Sequence, residues 1–318
     1  MGEQTLQVTL MRKHAEAEAI VSFDLSAREG DELPAFEAGS HIDVHLPNGL
    51  VRQYSLYGNP ADNSAYRLAV LKEPQSRGGS EAVHELLQVG DVLTISRPRN
   101  NFKLVEEAGS TLLIAGGIGI TPLLSMAHRL AGLGRNFQLH YCGRSPERMA
   151  FHELLKDGAL SGNSNLYLDS EGPAFDPKQL FSNQPKDTHI YVCGPAGFID
   201  WVIKEAQAAD IAPAQLHQEF FSRSEAAPAG EEFTVVLNRS GKSFVIPDGE
   251  TVTEALAKEG IEIPVSCEQG ICGTCVTKVI DGIPDHRDSY LTDEEKAAND
   301  QFMPCCSRAS SPKLVLDL

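Results

Sequence analysis

The chain has 318 residues, 42% of them hydrophobic and 22% charged, a globular composition that predicts two or three domains rather than one. Its 27 Lys and Arg stand against 44 Asp and Glu, a net charge of −17, which argues against nucleic acid as a partner because phosphate backbones call for a basic face. No apolar run approaches membrane-spanning length, and Met11-Arg12-Lys13-His14 leads into Ala and Glu rather than an apolar core, so neither a membrane partner nor secretion is expected and the location read is cytoplasmic.

The first hundred residues read as strands. Residues 6–10, 20–25 and 41–46 alternate apolar and polar side chains, and Pro47-Asn48-Gly49 marks a turn. Further short strands are expected at 53–56, 66–71 and 92–96. Evenly spaced strands of this kind predict a closed antiparallel β-barrel. Within it, Arg52 and Tyr54 share one face of a strand and Ser55 takes the other. Such a set suits a flavin, with the aromatic ring against the isoalloxazine, the hydroxyl toward N5 and the guanidinium toward phosphate. An ordinary edge strand could carry the same residues. A second patch, Ser76-Arg77-Gly78-Gly79-Ser80, precedes a helical run at 81–87. It fits a phosphate cradle, although a serine-capped glycine turn has the same composition. Together the two patches point to flavin.

At Ser110 the pattern changes. Residues 111–115 form a continuous apolar run, as in a buried parallel strand. Gly116-Gly117-Ile118-Gly119-Ile120-Thr121-Pro122 follows, and then apolar residues recur at helical spacing to Leu133. Strand, glycine turn and helix start can receive a pyrophosphate, and Pro122 suits a first helical position. Strands at 137–141, 166–168 and 190–193 alternate with helices at 151–155 and 198–208, which predicts an α/β parallel sheet covered on both faces. Ligands on such sheets lie across the carboxyl ends of strands. Gly116, Arg144 and Cys193-Gly194-Pro195 all follow strand ends, so one crevice could gather them. Cys142 reads as a small core residue, whereas Cys193 is placed beside a nicotinamide.

The remaining residues carry the sharpest signal. The stretch 224–232 is rich in small residues and reads as a linker. Strands at 233–237 and 242–246 flank Asn238-Arg239-Ser240-Gly241, a short helix is expected at 252–258, a strand at 276–280 and a capped helix start at Thr292. Cys267, Cys272 and Cys275 are separated by four and then two residues, with Cys305 or Cys306 about thirty further on. That is the plant-type spacing for a [2Fe–2S] cluster. Structural zinc usually takes two short cysteine or histidine pairs, which fits poorly; a disulfide knot or free thiols are the remaining alternatives. From residue 226 onward, sixteen Asp and Glu face eight Lys and Arg, an acidic surface suited to steering a basic electron acceptor or, more simply, to solubility.

Arg-x-Tyr-Ser, Gly-Gly-Ile-Gly-Ile-Thr-Pro with Cys-Gly-Pro, and the cluster loop occur in the order seen in phthalate dioxygenase reductase and its relatives, and the chain resembles that family along its whole length. The resemblance implies a multidomain protein. Residues 1–104 would be an FMN-binding β-barrel and 105–223 an NAD-binding α/β domain of ferredoxin–NADP reductase type. Residues 224–231 would be a linker and 232–318 an α+β ferredoxin-like β-grasp domain. Arg52, Tyr54 and Ser55 would hold the flavin, with Ala69, Val70 and Leu71 beside its ring and Arg77, Gly78, Gly79 and Ser80 on its phosphate. Gly116, Gly117, Gly119, Thr121, Pro122, Arg144, Cys193, Gly194 and Pro195 would line the nucleotide crevice, Thr121 would approach the flavin, and Phe221 would cover its ring. Ser55 and Cys193 would shape the hydride step. The cluster ligands would be Cys267, Cys272, Cys275 and Cys305, with Cys306 an unusual spacer. Arg144 is followed by Ser145 where an acid is expected for NADH; the pair could tolerate a 2′-phosphate, yet the family implies NADH.

The expected function is therefore an NADH-dependent reductase component of a Rieske-type aromatic oxygenase or O-demethylase, with the electron order NADH, FMN, [2Fe–2S], oxygenase. The rivals are a stand-alone reductase of quinone, flavin or cytochrome, and a non-enzymatic [2Fe–2S] redox sensor.

Overall fold

The computed structural model describes residues 5–221 and 229–318, which divide into two compact units, Met1–Phe221 and Ser222–Leu318. In the first unit the strands β1 (Thr5–Ala17), β2 (Ile20–Ala27), β3 (His41–His45), β4 (Val51–Ser55), β5 (Tyr66–Leu71) and β6 (Val92–Ser96), with the short helix α1 (Gly79–Glu85) between the last two, form a six-stranded sheet ordered β4-β3-β6-β1-β2-β5. Every pairing in it is antiparallel, and a bridge between Leu56 and Leu68 brings its two ends together, so the expected barrel is present. Val8, Leu10, Phe23, Leu25, Ile42, Val44 and Leu68 fill it.

Strand β1 runs seven residues beyond the expected Leu10. Irregularities between Leu10 and Arg12 and between Ala15 and Ala17 bend it, as bulges do. The extension has a local reason: the Lys13 Nζ donates to the carbonyls of Val83, His84 and Leu87 at 2.9, 2.7 and 2.9 Å, satisfying the end of α1.

The second half of this unit alternates as predicted: β7 (Ser110–Gly116), α2 (Ile120–Gly132), β8 (Phe137–Gly143), α3 (His152–Asp157), β9 (Ser164–Leu168), α4 (Pro177–Phe181), β10 (Thr188–Gly194), α5 (Ala196–Ala208) and β11 (Leu216–Phe220). The strands form a parallel sheet ordered β11-β10-β7-β8-β9. Strand β11 was not expected, because 216–220 carries His, Gln and Glu; as an edge strand it needs only one buried face. Barrel residues Ile20, Ala38, Ala69 and Phe102 share one apolar cluster with Leu113, Leu123, Met126 and Tyr191 of the α/β half. The boundary expected near residue 104 is therefore crossed by a continuous core.

The second unit contains β12 (Phe233–Leu237), β13 (Ser243–Ile246), α6 (Val252–Lys258), β14 (Thr277–Asp281), β15 (Pro284–Asp285), α7 (Asp293–Ala298), β16 (Gln301–Phe302), β17 (Arg308–Ala309) and β18 (Lys313–Leu316). Its sheet is ordered β13-β12-β18-β14-β16, with β12 and β18 parallel and the β15–β17 pair beside it. Helices α6 and α7 each begin with a reciprocal capping box, Thr251 with Glu254 and Thr292 with Glu295. Arg308, 1% exposed, donates to the carbonyls of Glu250, Pro247 and Glu231 at 2.7, 3.0 and 3.1 Å and lies over the Phe233 ring. Of the expected linker, 224–228 lies outside the described residues. Ala229 and Gly230 are tied to Arg287 and Asp248 at 2.8 and 2.7 Å, so that end belongs to the folded unit.

No helix among the described residues is long and apolar enough to cross a membrane.

Candidate functional site: flavin seat, nucleotide crevice and cluster loop

The two flavin patches, remote in sequence, meet in the barrel. A Cβ on Gly79 would fall 2.7 Å from the Arg52 side chain, so Arg52 lies directly on the start of α1. Gly78 takes φ +86° ahead of that helix, a conformation suited to glycine. Asn48, which sequence reading passed over, holds this turn through its amide on the Gly78 carbonyl at 3.0 Å. Ser80 is more engaged than expected: its hydroxyl accepts from the Glu73 amide at 3.1 Å and donates to Ser76 at 3.0 Å. A phosphate there would meet the Arg52 and Arg77 side chains and the glycine turn before the Ser80 hydroxyl. Tyr54 is half-buried, and burial pushes its phenol well above the ordinary range. Ala69 and Val70 are buried and Leu71 half-buried on β5.

Ser55 ends β4 and is buried. Its hydroxyl donates to the Glu219 carboxylate at 3.4 Å, across 164 residues. Glu219 sits on β11 directly beside Cys193 on β10. Burial pushes the Glu219 carboxyl up to about 8, partly offset by the Ser55 hydrogen bond. Cys193 is 0% exposed, and burial, with Glu219 beside it, raises its thiol well above the ordinary range. Cys193 is thus enclosed at the end of β10. Glu219 was missed, since a lone acid on an unrecognised edge strand gives no local signal.

The glycines of the α/β half divide into two kinds. A Cβ on Gly119 would overlap the Cys193 carbonyl, and Cβ atoms on Gly116 and Gly194 would press on Phe198 at 3.0 Å. These glycines let the β7 and β10 ends touch. Gly117 differs: φ is +55°, and nothing lies within 4 Å of its Cβ position. It is the open point of a strand–turn–helix junction, where a pyrophosphate could approach the backbone. Helix α2 starts at Ile120, so Pro122 is its third residue rather than its first, still within the turn whose amides lack helical partners. Thr121 is buried, and its hydroxyl donates to Ile118 of its own turn at 3.1 Å. Pro195 immediately precedes α5, Arg144 is exposed beyond β8, and Phe221 is half-buried against the shared core.

In the second unit Cys267, Cys272, Cys275 and Cys305 are all buried, at 8%, 5%, 1% and 4% exposure. The sulfurs of Cys275 and Cys305 are 3.2 Å apart. The Cys267 thiol donates to Cys272, which holds the Cys272 thiol below its ordinary range while Cys267 is pushed up. The thiols thus gather in pairs. A two-iron cluster asks two thiolates of each iron. Cys306 is half-buried, 3.8 Å from the Met303 carbonyl and from Ser307 and hydrogen-bonded to Cys305; of the two neighbouring cysteines it is Cys305 whose sulfur reaches a thiol of the 267–275 loop, Cys275. The Gln269 amide donates to the Cys267 sulfur at 3.3 Å, and a donor of this kind tunes a cluster; the Cys272 thiol donates to the Thr274 hydroxyl at 3.2 Å. Gly270 and Gly273 take φ +69° and +77°, and a Cβ on either would strike Asp288 and Cys306 or the Tyr290 ring. The residues present fit the flavin, the nucleotide and the cluster.

Residues 235–310 match the 2Fe-2S iron-sulfur cluster binding domain family. Vanillate O-demethylase oxidoreductase from Pseudomonas sp. (strain HR199 / DSM 7063) is 48% identical over 317 residues, 98% of this chain and 100% of that protein. The solved structure of phthalate dioxygenase reductase, described as modular for electron transfer from pyridine nucleotides to [2Fe–2S], superposes with a TM-score of 0.78 at 39% identity, over 99% of this chain and 98% of the other. The chain belongs to the phthalate dioxygenase reductase family. It also matches an intact type IV self-sufficient cytochrome P450 monooxygenase with a TM-score of 0.84 at 38% identity, covering 99% of this chain but 41% of that longer one. As a phthalate dioxygenase reductase relative it is an oxidoreductase, the reductase component of an oxygenase system, and its cofactors are FMN, NADH and a [2Fe–2S] cluster.

Proposed function

We propose that the oxygenase served is of Rieske type and acts on a methoxy-aromatic or aromatic carboxylate. The observation that carries the reading is the end-to-end similarity to a vanillate O-demethylase oxidoreductase, 48% identical. On this reading residues 1–104 form the flavin domain, 105–223 the nucleotide domain and 232–318 the cluster domain, with 224–231 between them. When bound, FMN supplies the conversion of a hydride into single electrons, and the cluster supplies a one-electron outlet.

The chain's own residues do the positioning. Arg52, Arg77 and the Gly78-Gly79 turn hold the flavin phosphate, Tyr54 packs on the ring, and Ala69, Val70 and Leu71 form its wall. Gly117, at the open strand end, admits the pyrophosphate. Ser55 presents its hydroxyl at the reacting edge. Glu219, protonated below about pH 8, keeps that edge from carrying a buried negative charge. Cys193 acts as a small filler beneath the site, since its thiol stays protonated. Cys267, Cys272, Cys275 and Cys305 hold the iron, and the acidic first turn of α7, Asp293, Glu294 and Glu295, steers a basic partner surface.

The test is a reconstitution. The purified holoprotein is mixed with a vanillate-type Rieske oxygenase and NADH, and aromatic turnover is compared with that in the oxygenase alone. Tight coupling of NADH oxidation to product is expected. Rapid quinone or cytochrome reduction with no transfer to any Rieske oxygenase overturns the reading.

A further inference from the structure

The Cys305 sulfur, assigned above to iron, has donors on two sides. The Gly270 amide, from the turn between Cys267 and Cys272, donates to it, and so does the neighbouring Cys306 thiol. The backbone holds Cys306 in place. Its amide and that of Ser307 both donate to the Met303 carbonyl, at 3.1 and 2.9 Å, closing a tight turn. The Cys306 sulfur packs directly on Gly270: a Cβ added to that glycine would overlap it and would stand 2.9 Å from the Asp288 Cβ. Gly270 takes φ +69°, so glycine here both lets the loop turn and leaves room for this sulfur. The Met303 carbonyl and the Ser307 hydroxyl are poorer acceptors for the Cys306 thiol, each 3.8 Å away.

We infer that Cys306 is a positioning residue for electron transfer: bound to no iron itself, it keeps its hydrogen and donates an S–H···S bond to the Cys305 thiolate, raising the reduction potential of the cluster. This rests on the reading of Cys305 as the fourth ligand. A ligating cysteine has lost its proton and can only accept, whereas a thiol outside the cluster can donate. A charged acceptor draws the stronger hydrogen bond. Reduction adds negative charge that spreads onto the ligand sulfurs. A donor at such a sulfur therefore stabilises the reduced cluster more than the oxidised one, and the potential rises. A higher potential eases the departure of each electron from the flavin. The Gly270 amide is a backbone donor and does not depend on a side chain; the S–H donor depends on the side chain at 306 alone.

The experiment is an anaerobic redox titration of the holoprotein, followed by visible absorption and by electron paramagnetic resonance of the reduced cluster. Four forms are compared: the natural chain, Cys306→Val, Cys306→Ser and Cys305→Ala. Valine nearly keeps the size without a donor, and serine restores a donor as a hydroxyl. Cys306→Val should load the natural amount of iron and lower the cluster potential, shifting the reduction equilibrium by about threefold to tenfold, or roughly 30–60 mV for one electron. Cys306→Ser should return the potential to the natural value or above it. The flavin potential should stay unchanged in both, and Cys305→Ala should lose the cluster signal. If Cys306→Val loads iron and keeps the natural potential, the inference falls while the ligand assignment stands. It falls in the same way if valine and serine lower the potential equally, or if the flavin potential moves alongside, since packing rather than a donor is then at work. If Cys306→Val loads no cluster, position 306 is structural or ligating and the inference is overturned. A cluster kept in Cys305→Ala removes that residue as a ligand and takes the inference with it.

Discussion

In the cluster unit three of the four thiols come from residues 267–275, and the fourth, Cys305, meets Cys275 across thirty residues. In the flavin–nucleotide unit Ser55 meets Glu219 across 164 residues, and Arg52 meets Gly79 from a different element. The first site is a single loop held in shape by its own glycines and by Asp288, Ser289 and Tyr290 packed on it; the Ser289 amide donates to the Gly270 carbonyl at 3.0 Å. The second exists only when a barrel edge and the ends of a parallel sheet have been brought together. A loop site therefore depends on spacing and φ, whereas a strand-end site depends on registration of two sheets.

The largest expected effect separates the two. Cys272→Ser removes a ligand, so the visible absorption of the cluster should vanish and cytochrome c reduction fall about a hundredfold or more, while NADH still reduces the flavin at near its natural rate. Retained cytochrome c reduction would break the division into two sites.

Next, Gly273→Ala confronts φ +77° and the Tyr290 ring at once. Left-handed strain and overpacking together should cost roughly 2–4 kcal/mol. Calorimetry should show the loss in the transition of the cluster unit alone; a matching fall in the flavin–nucleotide transition would mean that the units are not independent.

Smaller again is Arg77→Ala. Losing one cation from the phosphate cradle should weaken FMN retention by about tenfold, read by flavin fluorescence after dialysis, with iron content unchanged. Unaltered flavin content would remove Arg77 from the cradle.

The smallest effect concerns pH. Glu219 has its carboxyl raised to about 8 by burial, so the folded chain binds a proton that the unfolded chain releases at ordinary carboxylate values. Its contribution to stability is full below the unfolded value, near 4.5, and is lost as pH rises toward 8. Glu219→Gln should flatten that decline in melting temperature between pH 5 and about 8.5 in flavin-stripped protein. An unchanged slope would show that Glu219 ionises freely.

Legibility followed the same division. The cluster ligands stood out because thiolate spacing is a local code, and Thr292 as a cap stood out because a capping box spans four residues. The barrel strands and βα alternation were readable from periodicity, which depends on one buried face at a time. Strand β11 was not, since three polar residues in five hide an edge strand's single inward face. Glu219 was invisible for a related reason: it matters only through residues on other strands, Ser55 and Cys193.

The amino-acid order alone determined the cofactor set and the place of the cluster unit at the end of the chain, because glycine turns, cysteine spacing and strand or helix period are encoded within a few consecutive residues. Folding in three dimensions decided which groups line the crevice. It buried Cys193 and joined Glu219 to Ser55, because strand pairing relates residues by register across a sheet and not by distance along the chain.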